Sequence, residues 1–263
     1  MAVRDTLPFH LEVVLLKAAY LKKIDKAIKS AGTRRPDDVL EHAGLIPIDP
    51  GRTVDGFIAL RKNIVCYGVS RALKGKKYDF GVFHEGSHYW CLHLDLPGFA
   101  AKDGAHTDEI GSFSLQHKMV ARTELDANIG AAHAVIETEP FLEMLGYDNA
   151  DVIAYRNSVD SFERAVKDYE YHISIVQTNG SSESRIRRML AYRHELGHMY
   201  DELEEQAHDL YNSGCYLSKY EISRECGVPE YIVDLKIEAL SYLNYSVATV
   251  ELPAFDKVFR DWN

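Results

Sequence analysis

The chain has 263 residues, 46% of them hydrophobic, and its 30 Lys and Arg against 40 Asp and Glu leave a formal charge of -10. Such a length and apolar content bury a sizeable core in one or two domains and exclude a disordered chain. The acidic balance argues against a nucleic-acid or anionic-membrane surface as the main partner, because neutralising phosphates takes clustered Lys and Arg.

In chain order, the opening MAVRDTLPFHLEVVLLKAAY has only Val13 to Leu16 as a continuous apolar run, flanked by Glu12 and Lys17. That is too short for a signal core or a membrane span, so no membrane association and a cytoplasmic location are expected. Leu11 to Ala31 carries Leu15, Leu16, Ala19, Tyr20, Ile24, Ala27 and Ile28 at helical spacing, ended by Gly32, and Pro36 to Ala43 reads as a second, shorter helix. After Pro47 and Pro50 the pattern changes. Gly56 to Leu60 and Asn63 to Val69 are β-branched and aromatic runs separated by Arg61-Lys62, which predicts strands of a small sheet.

The next stretch, Lys77 to His93, contains HEGSH at His84 to His88. A helix brings residues four apart onto one face, so both imidazoles of such a pentad reach one zinc ion while Glu85 meets the water on that ion. A catalytic zinc takes three protein ligands and one open position, so a third ligand must come from elsewhere. His93 lacks the HxxGxxH continuation that would make it that ligand, and it reads as an exposed residue. Leu96 to Gly111 reads as a loop, punctuated by Pro97, Gly98, Gly104 and Gly111. Phe113 to Leu145 then reads as a long helix interrupted near Glu137 to Pro140. Within it TELDANIGAA, Thr123 to Ala132, puts Glu124 and Asn128 on one face, and Ala127, Ala131 and Ala132 are small enough for close approach to another helix.

HEGSH followed downstream by E-x-D-A-N-x-x-A-A resembles the ImmA/IrrE family of zinc metallopeptidases, whose pattern is HExxH and then E-x-x-A-N on the next long helix. The resemblance implies one zinc ion held by His84, His88 and Glu124, Glu85 as general base, and Asn128 as the polar residue that orients a ligand histidine. AGTRRPDDVLEHAGLI, Ala31 to Ile46, is similar to the family's N-terminal helix pair, and Gly214 to Tyr245 to the short helical tail of many members. The pentad departs from the commonest member in holding Gly86-Ser87 where Leu-Gly is usual, and the proline after the second motif is missing at Ile136-Glu137.

Asp151 to Ser213 departs most from the family. Val152, Val159, Phe162, Val166, Tyr169 and Ile173 mark one helical face, Asn179 to Ser182 a turn, and Ile186, Met189, Leu190, Leu196, Met199, Leu203 and Leu210 another face, as in an inserted helical hairpin. Inside it lies a second pentad, HELGH at His194 to His198. No strand precedes it, no E-x-x-A-[ND] helix follows, and Glu204 and Glu205 belong to the same helix, so His194 and His198 read as helix-surface residues. Lys219 to Leu243 reads as helix, Cys226-Gly227-Val228-Pro229, then helix, with 3 basic and 5 acidic residues, and this helix-turn-helix pattern is expected to pack on the core rather than read DNA. Cys66, Cys91, Cys215 and Cys226 form no CxxC pair and read as reduced thiols. His106, His117 and His133 are further candidates, as oxyanion stabilisers.

The expected fold class is α+β: a zincin-like peptidase core, mostly helical with a small sheet, over residues 1–150, a helical hairpin over 151–213 and a C-terminal tail over 214–263. The function the resemblance implies is that of a zinc endopeptidase whose substrate is a protein, a DNA-binding helix-turn-helix repressor. The alternative is a non-catalytic zinc-containing protein that sequesters a regulator or toxin.

Overall fold

The computed structural model describes residues 9–50, 55–95, 115–179 and 182–250. Helices dominate, with one small mixed sheet, so the class is α+β. The described elements are α1 (Phe9–Ala31), α2 (Pro36–His42), β1 (Ile46–Pro47), β2 (Gly56–Arg61), β3 (Ile64–Val69), α3 (Lys76–Trp90), a 3-10 turn (His93–Asp95), α4 (Leu115–Val135), α5 (Thr138–Met144), α6 (Ala150–Asn179), α7 (Glu183–Asn212), α8 (Lys219–Cys226) and α9 (Glu230–Tyr242). The loop expected from Leu96, with His106, lies outside the described residues, as do the side chain of His117 and the middle of the Asn179 to Ser182 turn.

By contacts the described chain forms two compact units. The first runs to Thr138 and takes back Ile222–Val247; the second is Glu139–Glu221 with the segment from Ala248.

In the first unit, α1 buries Tyr20, Ile24 and Ile28 of the expected stripe and also Leu21, which the spacing did not pick out, while Leu16 and Ala19 of that stripe are exposed; the helix ends where Gly32 takes a φ of 67°. Pro36 opens α2 at its first turn with Asp37 and Asp38 behind it, charges that suit a helix N-terminus. The sheet order is β1-β3-β2, with β3 central, β1 parallel and β2 antiparallel to it. The hairpin turn is Lys62-Asn63, one residue later than expected, because both positions take positive φ (48° and 66°) and asparagine tolerates that better than arginine. Asp37 joins three elements by accepting hydrogen bonds from Tyr67 of β3 (2.9 Å) and Tyr78 of α3 (3.1 Å).

Helix α3 packs along α4, and α4 in turn along α1 and α9. The close approach of α3 and α4 rests on small residues, for a Cβ on Gly130 would overlap Ser87. Gly86 is likewise covered, by Leu40 and the Trp90 ring, each 2.9 Å from where its Cβ would stand. The Gly86-Ser87 departure from the usual pentad is therefore matched by its neighbours, Ser87 by a glycine opposite it. Lys236 of α9 is 0% exposed, and its ammonium donates to the His133 carbonyl (3.2 Å), to His133 Nδ1 (3.3 Å) and to Thr138 Oγ1 (3.0 Å). The other ring nitrogen, His133 Nε2, lies 2.8 Å from Asp25 of α1. With both nitrogens so engaged, His133 is a structural residue and not the oxyanion stabiliser it was a candidate for.

In the second unit α6 and α7 pack on each other around Val152, Tyr155, Phe162, Tyr169, Leu196, Leu203 and Leu210. The Tyr169 and Tyr192 rings meet edge to face, 5.7 Å apart. Leu217 N–H donates to the Met144 carbonyl at 2.8 Å, which ties the end of α5 to the chain leaving α7. No described helix is long and apolar enough to cross a membrane. The four cysteines are free thiols.

Candidate metal centre

The pentad lies in the second half of α3, whose start is fixed by Gly75 (φ 54°) and favoured by Asp79 in its first turn. Residues four apart share a face, so His84 and His88 point the same way, with ring centroids 4.8 Å apart. Across from them α4 presents Glu124. The three side chains converge: His84 Nε2 is 3.2 Å from His88 Nε2 and 3.2 Å from Glu124 Oε2, and His88 Nε2 is 3.6 Å from Glu124 Oε1. They form the group among the described residues that can hold a metal ion. The separations suit one, since ligands at 2.0–2.1 Å from a tetrahedral ion stand about 3.3 Å from each other.

The outer nitrogens of both rings are held. Asn128, one turn after Glu124, sets Oδ1 2.9 Å from His84 Nδ1. That pairing puts the proton on Nδ1 and leaves the Nε2 lone pair toward Glu124. His93 does the same for His88, with the two Nδ1 atoms 2.8 Å apart. The expectation that His93 is exposed is corrected here: it is 5% exposed. A backbone reversal at Leu92 (φ 60°) and the 3-10 turn after it fold His93 back under α3. For His88 to offer Nε2, its Nδ1 must donate and His93 Nδ1 must accept. Burial keeps His93 in the neutral form this needs, by pushing its pKa below the ordinary value.

Glu85 does not join the cluster. Its side chain is 5% exposed and lies against the first residue of β2, so close that a Cβ on Gly56 would sit 2.5 Å from Glu85 Oε1. Burial, helped by the Glu124 charge and opposed by His84, pushes its pKa up to about 7. A carboxylate poised there exchanges protons near neutral pH. For His84, burial alone would lower the pKa, but the Glu124 contact and the Glu85 charge outweigh it and hold it above the ordinary value.

The second pentad is arranged differently. His194 and His198 are exposed on α7, and no group of three metal-type donors includes them among the described residues. Of the site residues to which spacing pointed, the structure brings His84, His88 and Glu124 together with Asn128 behind His84, while Glu85 is buried against Gly56 outside that group. The structure also adds two that sequence reasoning missed, His93 and Gly56. Only the position of His93 five residues past His88 hinted at the first; nothing marked the second.

Two imidazoles and a carboxylate on two packed helices, with a buried glutamate next to the first imidazole in the chain, define a candidate metal centre in an α+β protein. No family model, curated protein or solved structure matches the chain.

Proposed function

We propose that the chain is a zinc-dependent endopeptidase with a zincin-like core, of the kind the ImmA/IrrE resemblance implies. One observation carries the reading: a buried glutamate with a pKa near 7 adjoins a two-histidine, one-glutamate cluster whose spacing suits a tetrahedral ion. His84, His88 and Glu124 would hold the ion, and imidazole with carboxylate is a donor set that suits zinc. Zinc, when bound, supplies a water of lowered pKa and a Lewis-acidic position for a carbonyl oxygen.

The chain's own residues do the rest. Asn128 and His93 hold the ligand rings in the tautomers that face the ion. Glu85 takes the proton of the attacking water and returns it to the leaving amine, a shuttle that its raised pKa favours. Strand β2 pairs on one side with β3, and its first residue touches Glu85. Its other edge would hold an extended peptide in register with the base, through main-chain hydrogen bonds. An acidic protein attracts a basic substrate, in keeping with a DNA-binding repressor.

Glu85→Gln tests the reading. The variant should keep one zinc ion and lose peptide cleavage by a factor of about 100 or more. The substrate assay mixes zinc-loaded protein with the regulator encoded beside its gene and looks for two discrete fragments. Normal cleavage by the glutamine variant would remove Glu85 from the mechanism; a stable complex with no cleavage, indifferent to chelator, would favour the sequestering role instead.

A further inference from the structure

HELGH, His194 to His198, is a motif the first site leaves unused. Its two rings stand 4.5 Å apart at 61°, beside 4.8 Å and 79° for His84 and His88. Each helix thus offers the same two-imidazole grip. On α3 a carboxylate from α4 completes the group, whereas on α7 the exposed pair stands without a third donor among the described residues. An ion held by His194 and His198 alone would keep two of four tetrahedral positions for donors from another molecule.

Two further observations say which molecule. Gly197 sits inside α7, where glycine costs about 1 kcal/mol against alanine, and a Cβ built there meets nothing within 4 Å. No packing around it within the described chain accounts for a glycine, and bare backbone between two exposed histidines lets another helix come close. Charge is also divided about this point. On the N-terminal side stand Arg185, Arg187, Arg188 and Arg193 against Glu183 and Glu195; on the C-terminal side stand Asp201, Glu202, Glu204, Glu205 and Asp209 with no Lys or Arg before the helix ends. The order runs against the helix dipole, which favours acids at the start and bases at the end, so the stability of α7 itself does not explain it. A second α7, antiparallel and crossing at Gly197, would set each arginine-rich half along the other's acidic half.

We propose that His194 and His198 form a second metal site, for a divalent transition-metal ion of the kind imidazole binds, completed by the same two residues of a second copy of this chain. Twofold symmetry about Gly197 brings four imidazoles around one ion between helices spaced about 8–10 Å apart. The interface is self-complementary in charge, and the ion fixes its register.

Zinc is the probe. In a chain carrying His84→Ala and His88→Ala, calorimetric titration should show about one ion per two chains, and sedimentation should show a zinc-dependent doubling of mass that chelator reverses. Adding His194→Ala and His198→Ala, both at exposed positions, should abolish binding and dimer together. Should the first pair of changes unfold the chain, which circular dichroism reads, the unaltered sequence serves: about 1.5 ions per chain, falling to about 1 with His194→Ala and His198→Ala. In the same unaltered chain Arg187→Glu with Arg188→Glu should raise the zinc needed for dimer several-fold at low salt. An ion bound by a single copy with no change in mass, a dimer indifferent to His194 and His198, or no zinc beyond the first site would each overturn the proposal. The readout is a separate stoichiometric step, so its failure is distinct from failure of the first site.

Discussion

Replacing His93 by alanine removes the acceptor 2.8 Å from His88 Nδ1 while leaving the three proposed ligands in place. The ring of His88 then loses the group that selects its tautomer, and zinc affinity, read by competition with a chelator, should fall about 10- to 100-fold. His93→Gln can accept the same hydrogen bond and should recover most of the loss. A packing role alone would also rank glutamine above alanine, so His93→Leu, of similar bulk but without an acceptor, is the control: affinity equal to that of His93→Gln would sink the assignment. Gly56 belongs to the same scale: it has no side chain because Glu85 occupies that space. The pentad could be read from spacing because the helix period alone aligns His84 with His88. His93 and Gly56 could not, since one depends on a backbone reversal at Leu92 and the other on a strand that reaches Glu85 from 29 positions earlier in the chain.

Helices α1, α4 and α9 are joined by Asp25, His133 and Lys236, and the joint titrates. Burial first, and the Lys236 charge with it, lowers the pKa of His133 in the folded chain despite the Asp25 contact. The His133 hydrogen bond, opposed by burial, lowers that of Asp25. Both shifts have the same sign: stability is fully present above the ordinary histidine value of about 6.5 and is lost as pH falls through the depressed one, with the Asp25 contribution lost below about 3.8. His133→Gln keeps a donor for Asp25 and an acceptor for Lys236 but cannot charge. Its urea midpoint should start lower at pH 7.5 and then fall less steeply than that of the unaltered chain between pH 6.5 and 5, as read by denaturation at each pH. Parallel slopes would show that His133 does not titrate on unfolding. This joint was not legible in the sequence. A lysine in an acidic amphipathic helix reads as surface, and Lys236 is inside only because three acceptors from two other segments meet it there. Strand β1 was hidden for a related reason, since two residues, Ile46–Pro47, show no alternation, and pairing with Cys66 and Tyr67 makes them a strand. The α6 face and the rest of the α7 face were legible because long periodic helices carry their burial pattern locally, but Ile186 and Leu190, read into the α7 face, are exposed.

For the molecule as a whole, the division into two units has a thermodynamic consequence. His84, His88 and Glu124 all lie in the first unit, whereas the core around Val152, Phe162, Leu196 and Leu203 belongs to the second. An ion that binds only the folded first unit stabilises that unit by mass action, by about 2.7 kcal/mol at a free concentration 100 times the dissociation constant. The second unit gains nothing from it unless the two unfold as one. The measurement is calorimetry on the His194→Ala, His198→Ala chain, which keeps α7 from binding zinc. Two transitions are expected, one rising by several degrees with zinc and returning with chelator, the other unmoved. Glu124→Gln should abolish the shift of the first without moving the second, because the carboxylate supplies the third donor and its charge. A single transition that moves as a whole would show the units to be one cooperative block; a zinc shift confined to the other transition would place the ion elsewhere and overturn the first site.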